Sequence, residues 1–115
     1  MLLRINPESP APLFEQVAAA VRAQIAQGDV RPGDRLPPAR DVAQGLGVNL
    51  HTVLHAYQDL RDEGLIELRR GRGAVVTDAA GAVAQLQRDI AELGRRAAAL
   101  GVAPSTAVAM LRASM

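Results

Sequence analysis

Apolar residues at Leu13, Val17, Ala20, Val21 and Ile25 recur at spacings of three and four. This period lays them along one face of a helix over about residues 12–27. Pro12 suits the first turn, where its missing N–H would have had no partner, and Gly28 is a natural C-terminal stop. The stretch from Gly28 to Pro38 has no period, is broken by glycines and prolines, and predicts a surface loop. A short helix over about Ala39–Leu46 follows, with Val42 and Leu46 facing inward. A third runs from near Asn49 to Glu63, is stopped by Gly64, and buries Val53, Tyr57 and Leu60. Two helices joined by a tight glycine-containing turn predict a helix-turn-helix.

Beyond Gly64 the pattern shortens to two strand-prone runs, Leu65-Ile66-Glu67-Leu68 and Ala74-Val75-Val76-Thr77, separated by Arg69-Arg70-Gly71-Arg72-Gly73. They predict a hairpin with an arginine tip, and so a wing. From about Ala80 to Leu100 a fourth helix carries Val83, Leu86, Ile90, Leu93, Ala97 and Leu100 at alternating spacings of three and four, an a/d seam. Gly101 ends it, and Pro104-Ser105 opens a short last helix with Val108 and Leu111. The expected class is mainly α (α+β): a winged helix-turn-helix over residues 1–78, then two C-terminal helices over residues 79–115.

Composition narrows the chemistry. The 115-residue chain has no Cys and two His, which removes disulfides, thiolate nucleophiles and the common zinc sites. His51 and His55 stand four apart on one helix but have no evident third ligand, so neither a metal nor a cofactor is expected. Ser9, Ser105 and Ser114 lack a His or acid pattern that would make a nucleophile, and Gly71 and Gly73 lack the strand-to-helix context of a dinucleotide fingerprint. An enzyme is therefore not expected. No apolar run reaches the roughly 18 residues that cross a bilayer, and no signal-like segment opens the chain. The expected location is the cytoplasm, with no membrane partner.

Charge complicates the picture. All 13 basic residues are Arg, set against 12 Asp+Glu for a net charge of +1. A near-neutral chain ordinarily argues against nucleic acid, whose binding leans on excess positive charge. Residues 1–78 hold 9 Arg and 10 acids, net −1, and residues 79–115 hold 4 Arg and 2 acids, net +2. Placement matters more than the total: Arg69, Arg70 and Arg72 fall within four residues, while Asp59, Asp62 and Glu63 lie late in the third helix.

Several spaced motifs carry a family resemblance: Pro12-Leu13-Phe14-Glu15-Gln16-Val17, Arg31-Pro32-Gly33-Asp34-Arg35-Leu36-Pro37, Val48-Asn49 with His51-Thr52-Val53, Ala56-Tyr57 with Leu60, and Glu63-Gly64-Leu65-Ile66 running into the arginine tip. In this order, over about residues 10–77, they resemble GntR-family transcriptional regulators. Most members attach a large effector-binding or aminotransferase-like domain after the wing; about 38 of the 115 residues follow Thr77 here, too few to enclose a metabolite pocket. Two short helices in that place are similar to the YtrA-type branch, in which they pair subunits. The resemblance implies a compact homodimeric repressor that binds double-stranded DNA, often at transport operons. It leaves open whether a small-molecule effector exists.

In a helix-turn-helix the second helix enters the major groove with its N-terminal end toward base edges, while other elements hold phosphates. The DNA-contact candidates on the third helix are Asn49, His51, Thr52, Leu54, His55 and Gln58. Asn49 is equally an N-cap; the alternative for His51 is a plain surface residue, but its place beside the helix N-terminus, which also attracts phosphate, favours contact. Larger members of the family commonly place Arg where Leu50 and Leu54 stand, so their guanine contacts do not carry over. Leu50 is spaced to join the core; Leu54 is an incidental surface residue or touches a thymine methyl. Arg40 is the leading phosphate or guanine anchor, unless it pairs with Asp41, and Arg35 is a weaker phosphate candidate. Arg69, Arg70 and Arg72 form either a solvated charge run or a minor-groove probe. The dimer-interface candidates are Val83, Leu86, Ile90, Leu93, Ala97, Leu100, Val108 and Leu111, unless they fold back on the first helix. A winged-helix module that binds protein rather than specific DNA remains the alternative.

Overall fold

A computed structural model describes residues 3–115. Its elements are α1 (Leu13–Ala26), α2 (Ala39–Leu46), α3 (Leu50–Asp62), β1 (Ile66–Arg69), β2 (Gly73–Val76), α4 (Ala79–Ala99) and α5 (Pro104–Ser114). Two units result, one ending at Ala84 and one covering Gln85–Met115. Of the expected apolar faces of the first three helices, Val17, Val21, Ile25, Val42, Val53, Tyr57 and Leu60 are buried, while Leu13, Ala20 and Leu46 are half-buried. Val17, Ala18, Val21 and Ile25 of α1 share a core with Val53, Ala56, Tyr57 and Leu60 of α3, and α2 adds Val42 and Ala43. Burying each larger aliphatic side chain contributes about 1.5–3 kcal/mol. Pro12 sits just outside α1, as an extended N-cap, rather than inside the first turn.

The turn between α2 and α3 depends on one glycine. Gly47 adopts φ 68° after the last residue of α2, a left-handed conformation that a side chain would strain. Val48 N–H then closes the helix end on Ala43 O at 3.0 Å. Asn49 starts α3, its Oδ1 accepting from the His51 N–H at 2.8 Å, as an N-cap should.

The wing is an antiparallel hairpin in the register Ile66↔Val76, Glu67↔Val75, Leu68↔Ala74 and Arg69↔Gly73. At its tip Arg72 N–H donates to Arg69 O at 3.1 Å, and Gly71 takes the positive φ of 80° that a type II turn requires at its third position. Part of the stretch expected to be plain loop runs along the outer edge of β2, with Arg35 bridged antiparallel to Val75. Gly33 N–H donates to Val76 O at 2.8 Å, Leu36 N–H to Ala74 O at 2.9 Å, and Val76 N–H to Asp34 O at 2.8 Å. The outer edge of β2 would otherwise leave these polar groups without protein partners. The pairing also carries Leu36 into the core.

Tyr57 ties α3 to the same stretch: its hydroxyl donates to Pro37 O at 2.6 Å. Burial pushes the phenol from its ordinary 10.0 up to about 12. Tyr57→Phe is expected to cost about 1 kcal/mol of stability at neutral pH by leaving that carbonyl without its donor. Because the fold favours the protonated phenol, this contribution is complete below about pH 10 and is lost as pH rises toward 12. Urea midpoints measured across that window should fall more steeply for the wild type than for the variant.

The first turn of α4 belongs to the winged unit, since Ala80 is buried and Val83 packs against its core. The unit therefore extends to Ala84, past the boundary expected at residue 78. Most of the remaining seam is exposed, namely Leu86, Ile90, Leu93 and Leu100 of α4 with Val108 and Leu111 of α5, while Ala97 is half-buried; Met110 beside them is exposed as well. Within the second unit, α4 and α5 flank a cavity of about 310 Å³ lined by Leu93, Ala97, Leu100, Val102, Met110 and Leu111, among others. Among the described residues, no helix is long and apolar enough to cross a membrane.

Candidate nucleic-acid interface

The segment from Gly33 to Pro38 joins the three elements a winged helix presents to DNA. Its backbone pairs with β2 through Gly33, Asp34 and Leu36. The Arg35 Nε–H donates to Arg72 O at 2.9 Å, which fixes the wing tip. Pro37 O receives the Tyr57 hydroxyl of α3, and Pro38 is the N-cap of α2, two residues before Arg40. Wing, recognition helix and the start of α2 thus share one anchoring strand. Arg35, expected as a phosphate contact, has its Nε committed to the wing.

The arginines are unevenly engaged. Arg40, Arg70 and Arg72 are exposed, and among the described residues their guanidinium groups have no hydrogen bond or ion pair; in particular, Arg40 does not pair with Asp41. Arg69 differs, with Nη2 2.8 Å and Nε 2.9 Å from Glu67 Oε2. The free positive charge at the tip therefore comes from Arg70 and Arg72. Several acids are occupied away from these positions. Glu63 accepts two bonds of 2.7 Å from Arg22, a pairing that raises the Arg22 pKa above its ordinary value chiefly through the hydrogen bond. Asp62 lies 3.6 Å from Arg61, and Asp34 Oδ2 accepts from Arg31 N–H at 2.9 Å. A net charge of −1 over residues 1–78 is thus compatible with bare cations on the wing and at the start of α2.

On α3 the candidates separate by what already holds them. Asn49 is the N-cap, with its Oδ1 occupied, while Thr52 is half-buried. The side chains of His51 and Gln58 are exposed, with no partner among the described residues. His55 is otherwise engaged: its ring stacks on Phe14 of α1 at 3.7 Å between centroids, 11° from parallel, and its Nε2 lies 3.7 Å from Asp59 Oδ1. It helps fasten α3 to α1 and is less free than His51. Leu54 is 39% exposed, and Leu50, expected in the core, is 37% exposed. Leu50 opens α3, and helical side chains lean toward the N-terminus, so it projects past the helix end rather than over Val53.

Three participants escaped sequence reasoning: Phe14 as the platform for His55, Arg35 as the wing tether, and Pro37 O as the acceptor for Tyr57. Phe14 left one signal, as the only Phe in the chain. The other two depend on pairings between distant segments and left none.

The geometry agrees with known proteins. The model for bacterial regulatory proteins of the gntR family matches residues 13–76, from α1 to the end of β2. The HTH-type transcriptional repressor YtrA of Bacillus subtilis is 37% identical over 77 residues, 67% of this chain and 59% of that protein. The chain thus matches about six-tenths of that relative's length. YtrA from Sulfolobus acidocaldarius, a GntR-family transcription factor, superposes with a TM-score of 0.63 at 42% identity over 67% of this chain and 81% of its own. The DNA-binding domain of AraR in complex with operator ORX1 superposes with a TM-score of 0.58 at 31% identity over 65% of this chain and 93% of its own. These relatives are transcriptional regulators, not enzymes. The chain belongs to the GntR family of bacterial regulatory proteins, in its YtrA-type branch, and its winged unit is the family's DNA-binding domain.

Proposed function

We propose that this protein is a homodimeric repressor that occupies an inverted-repeat operator through two winged units. The observation that carries the reading is the set of unpaired cations, Arg40, Arg70 and Arg72, on elements fastened to the single segment Gly33–Pro38. Arg40 anchors a phosphate or a guanine at the start of α2. His51 and Gln58 read base edges in the major groove, with Thr52 and the free amide of Asn49 beside them. Arg70 and Arg72 enter the minor groove, where an A·T-rich stretch deepens the negative potential. Arg35 and Arg69 hold the wing in shape, and His55 holds α3.

The second half-site follows from the seam. Leu86, Ile90, Leu93, Leu100, Val108 and Leu111 leave an apolar stripe uncovered in one chain. A second copy covers it, and the two-fold pairing calls for a two-fold DNA site. Residues 1–78, with the first turn of α4 packed on their core through Ala80 and Val83, supply the DNA-binding part, and the remainder of residues 79–115 the pairing part. Repression is by occupancy of promoter DNA in the cytoplasm.

The net charge of −1 over residues 1–78 favours a second reading, a winged module that binds protein. Selection from a pool of random duplexes separates the two. An enriched inverted repeat supports the operator reading, and a pool that stays random after repeated rounds supports the protein module. On the enriched duplex, His51→Ala is expected to reduce discrimination at one base pair of each half-site by about 1–3 kcal/mol. Equal loss on every sequence, in competition binding, would show that His51 does not read bases.

A further inference from the structure

Among the described residues of the winged unit, the exposed large apolar side chains are Leu50, Leu54 and Leu68. Two lie on α3 and the third on β1 of the wing, so the unit keeps its uncovered aliphatic surface on the elements that address DNA. Its other Leu, Ile and Val residues in the described range are buried or half-buried. Leu50 and Leu54 are one turn apart and about 40° apart around the helix axis, so they form a single ridge. At about 100° per residue, the order of the exposed side chains among residues 50–58 is Leu50, Leu54, Gln58, His51, His55. The far edge is closed by the stack of His55 on Phe14. What remains is an apolar ridge beside two polar side chains with free hydrogen-bonding ends.

We propose that Leu50 and Leu54 read the C5 methyl groups of thymines in each operator half-site; this inference rests on the DNA-binding reading above. The chemistry fits an A·T pair. In the major groove thymine presents one methyl group, and its partner adenine presents the N6 and N7 edge that a glutamine amide such as that of Gln58 pairs with in two bonds. A ridge of two leucines can make no hydrogen bond to guanine or cytosine, and it covers the polar edge those bases expose at the same depth. The first acid of α3 is Asp59, beyond the turns that carry the ridge, so no carboxylate sits within it.

The test uses the full chain and the duplex enriched by the random-pool selection. Each thymine of that duplex is replaced in turn by deoxyuridine, which removes the methyl and leaves base pairing intact. Removing one contacted methyl is expected to weaken binding by about fourfold, and by about fifteenfold when the symmetric thymines of both half-sites are changed. Against Leu54→Ala or Leu50→Ala, the deoxyuridine swap at the thymine that leucine contacts is expected to change affinity less than about twofold, since the partner has already been removed. A wild-type scan with no sensitive thymine overturns the methyl reading and leaves DNA binding intact, and it needs no variant to fold. Leucine variants that lose affinity equally on thymine and deoxyuridine duplexes overturn it as well. A pool that enriches no duplex overturns the DNA-binding reading, and this inference with it.

Discussion

Ile90→Asp combined with Leu93→Asp is expected to convert the protein to a monomer and to lower its affinity for an inverted repeat by about 10²–10⁴-fold. Both side chains are exposed in the single chain, so neither change opens a cavity in its core. In a dimer they would lie in the middle of a stripe that runs from Leu86 to Leu100, and two carboxylates there would have to be desolvated without a cation opposite. Arg88 and Arg95 do not fall on the seam spacing, and Arg96, which lines the α4–α5 cavity with Leu93, flanks the seam without lying on it. The loss on DNA follows from connectivity: once one winged unit is bound, the second binds at a high effective concentration, and that advantage vanishes with the dimer. Sedimentation velocity gives the mass, and circular dichroism checks that helix content is kept. An unchanged mass would place the pairing surface elsewhere.

Replacing Arg70 and Arg72 together with Ala is expected to weaken operator binding by about 10–100-fold at moderate salt. It should also flatten the slope of log affinity against log salt by about 0.9 for each phosphate that is no longer neutralised. The fold should be unaffected, because neither guanidinium group has a protein partner among the described residues and the turn is held by the backbone and by Arg35. The structure also separates these two from their neighbour. Arg69 is already neutralised by Glu67, so Arg69→Ala should cost much less than either of the other changes, and Glu67→Gln should raise affinity by releasing a cation. Anisotropy titrations across a salt series measure each of these variants. Equal losses for Arg69, Arg70 and Arg72 would mean that the tip acts as a diffuse charge cloud and not through two free side chains.

What could be read from the sequence follows from how local the determinants are. The bounds of α2 were legible because Pro38 and Gly47 bracket it, and the buried face of α3 because Val53, Tyr57 and Leu60 recur at helical spacing. The wing was legible because the period shortens just where glycines gather around three arginines. The pairing of Gly33–Leu36 along the edge of β2 was not, because its partners lie some 40 residues away and its glycine and proline content imitates a loop. Spacing alone also misplaced Leu50 as a core residue, since a three-residue interval to Val53 says nothing about a side chain that projects beyond the helix end. His55 lies on the exposed face as its spacing predicts, but nothing in the spacing tells of the Phe14 ring of α1 that stacks on it. For the β2 edge and for the stack on His55, the determinant is a contact between distant segments, which no local signal carries.

In the function proposed above, two copies of this chain, each contributing Arg40, α3 and an arginine wing, recognise one two-fold DNA site. The deciding measurement is the affinity of the purified protein for a labelled duplex carrying the enriched inverted repeat, compared with a scrambled duplex of equal length, between about 50 and 200 mM salt. The expected result is binding of two chains per duplex, a preference of about 10³-fold or more over the scrambled sequence, and a steep loss of affinity as salt rises. Equal affinity for both duplexes, or binding indifferent to salt, would mean that the protein does not recognise a two-fold operator in this way.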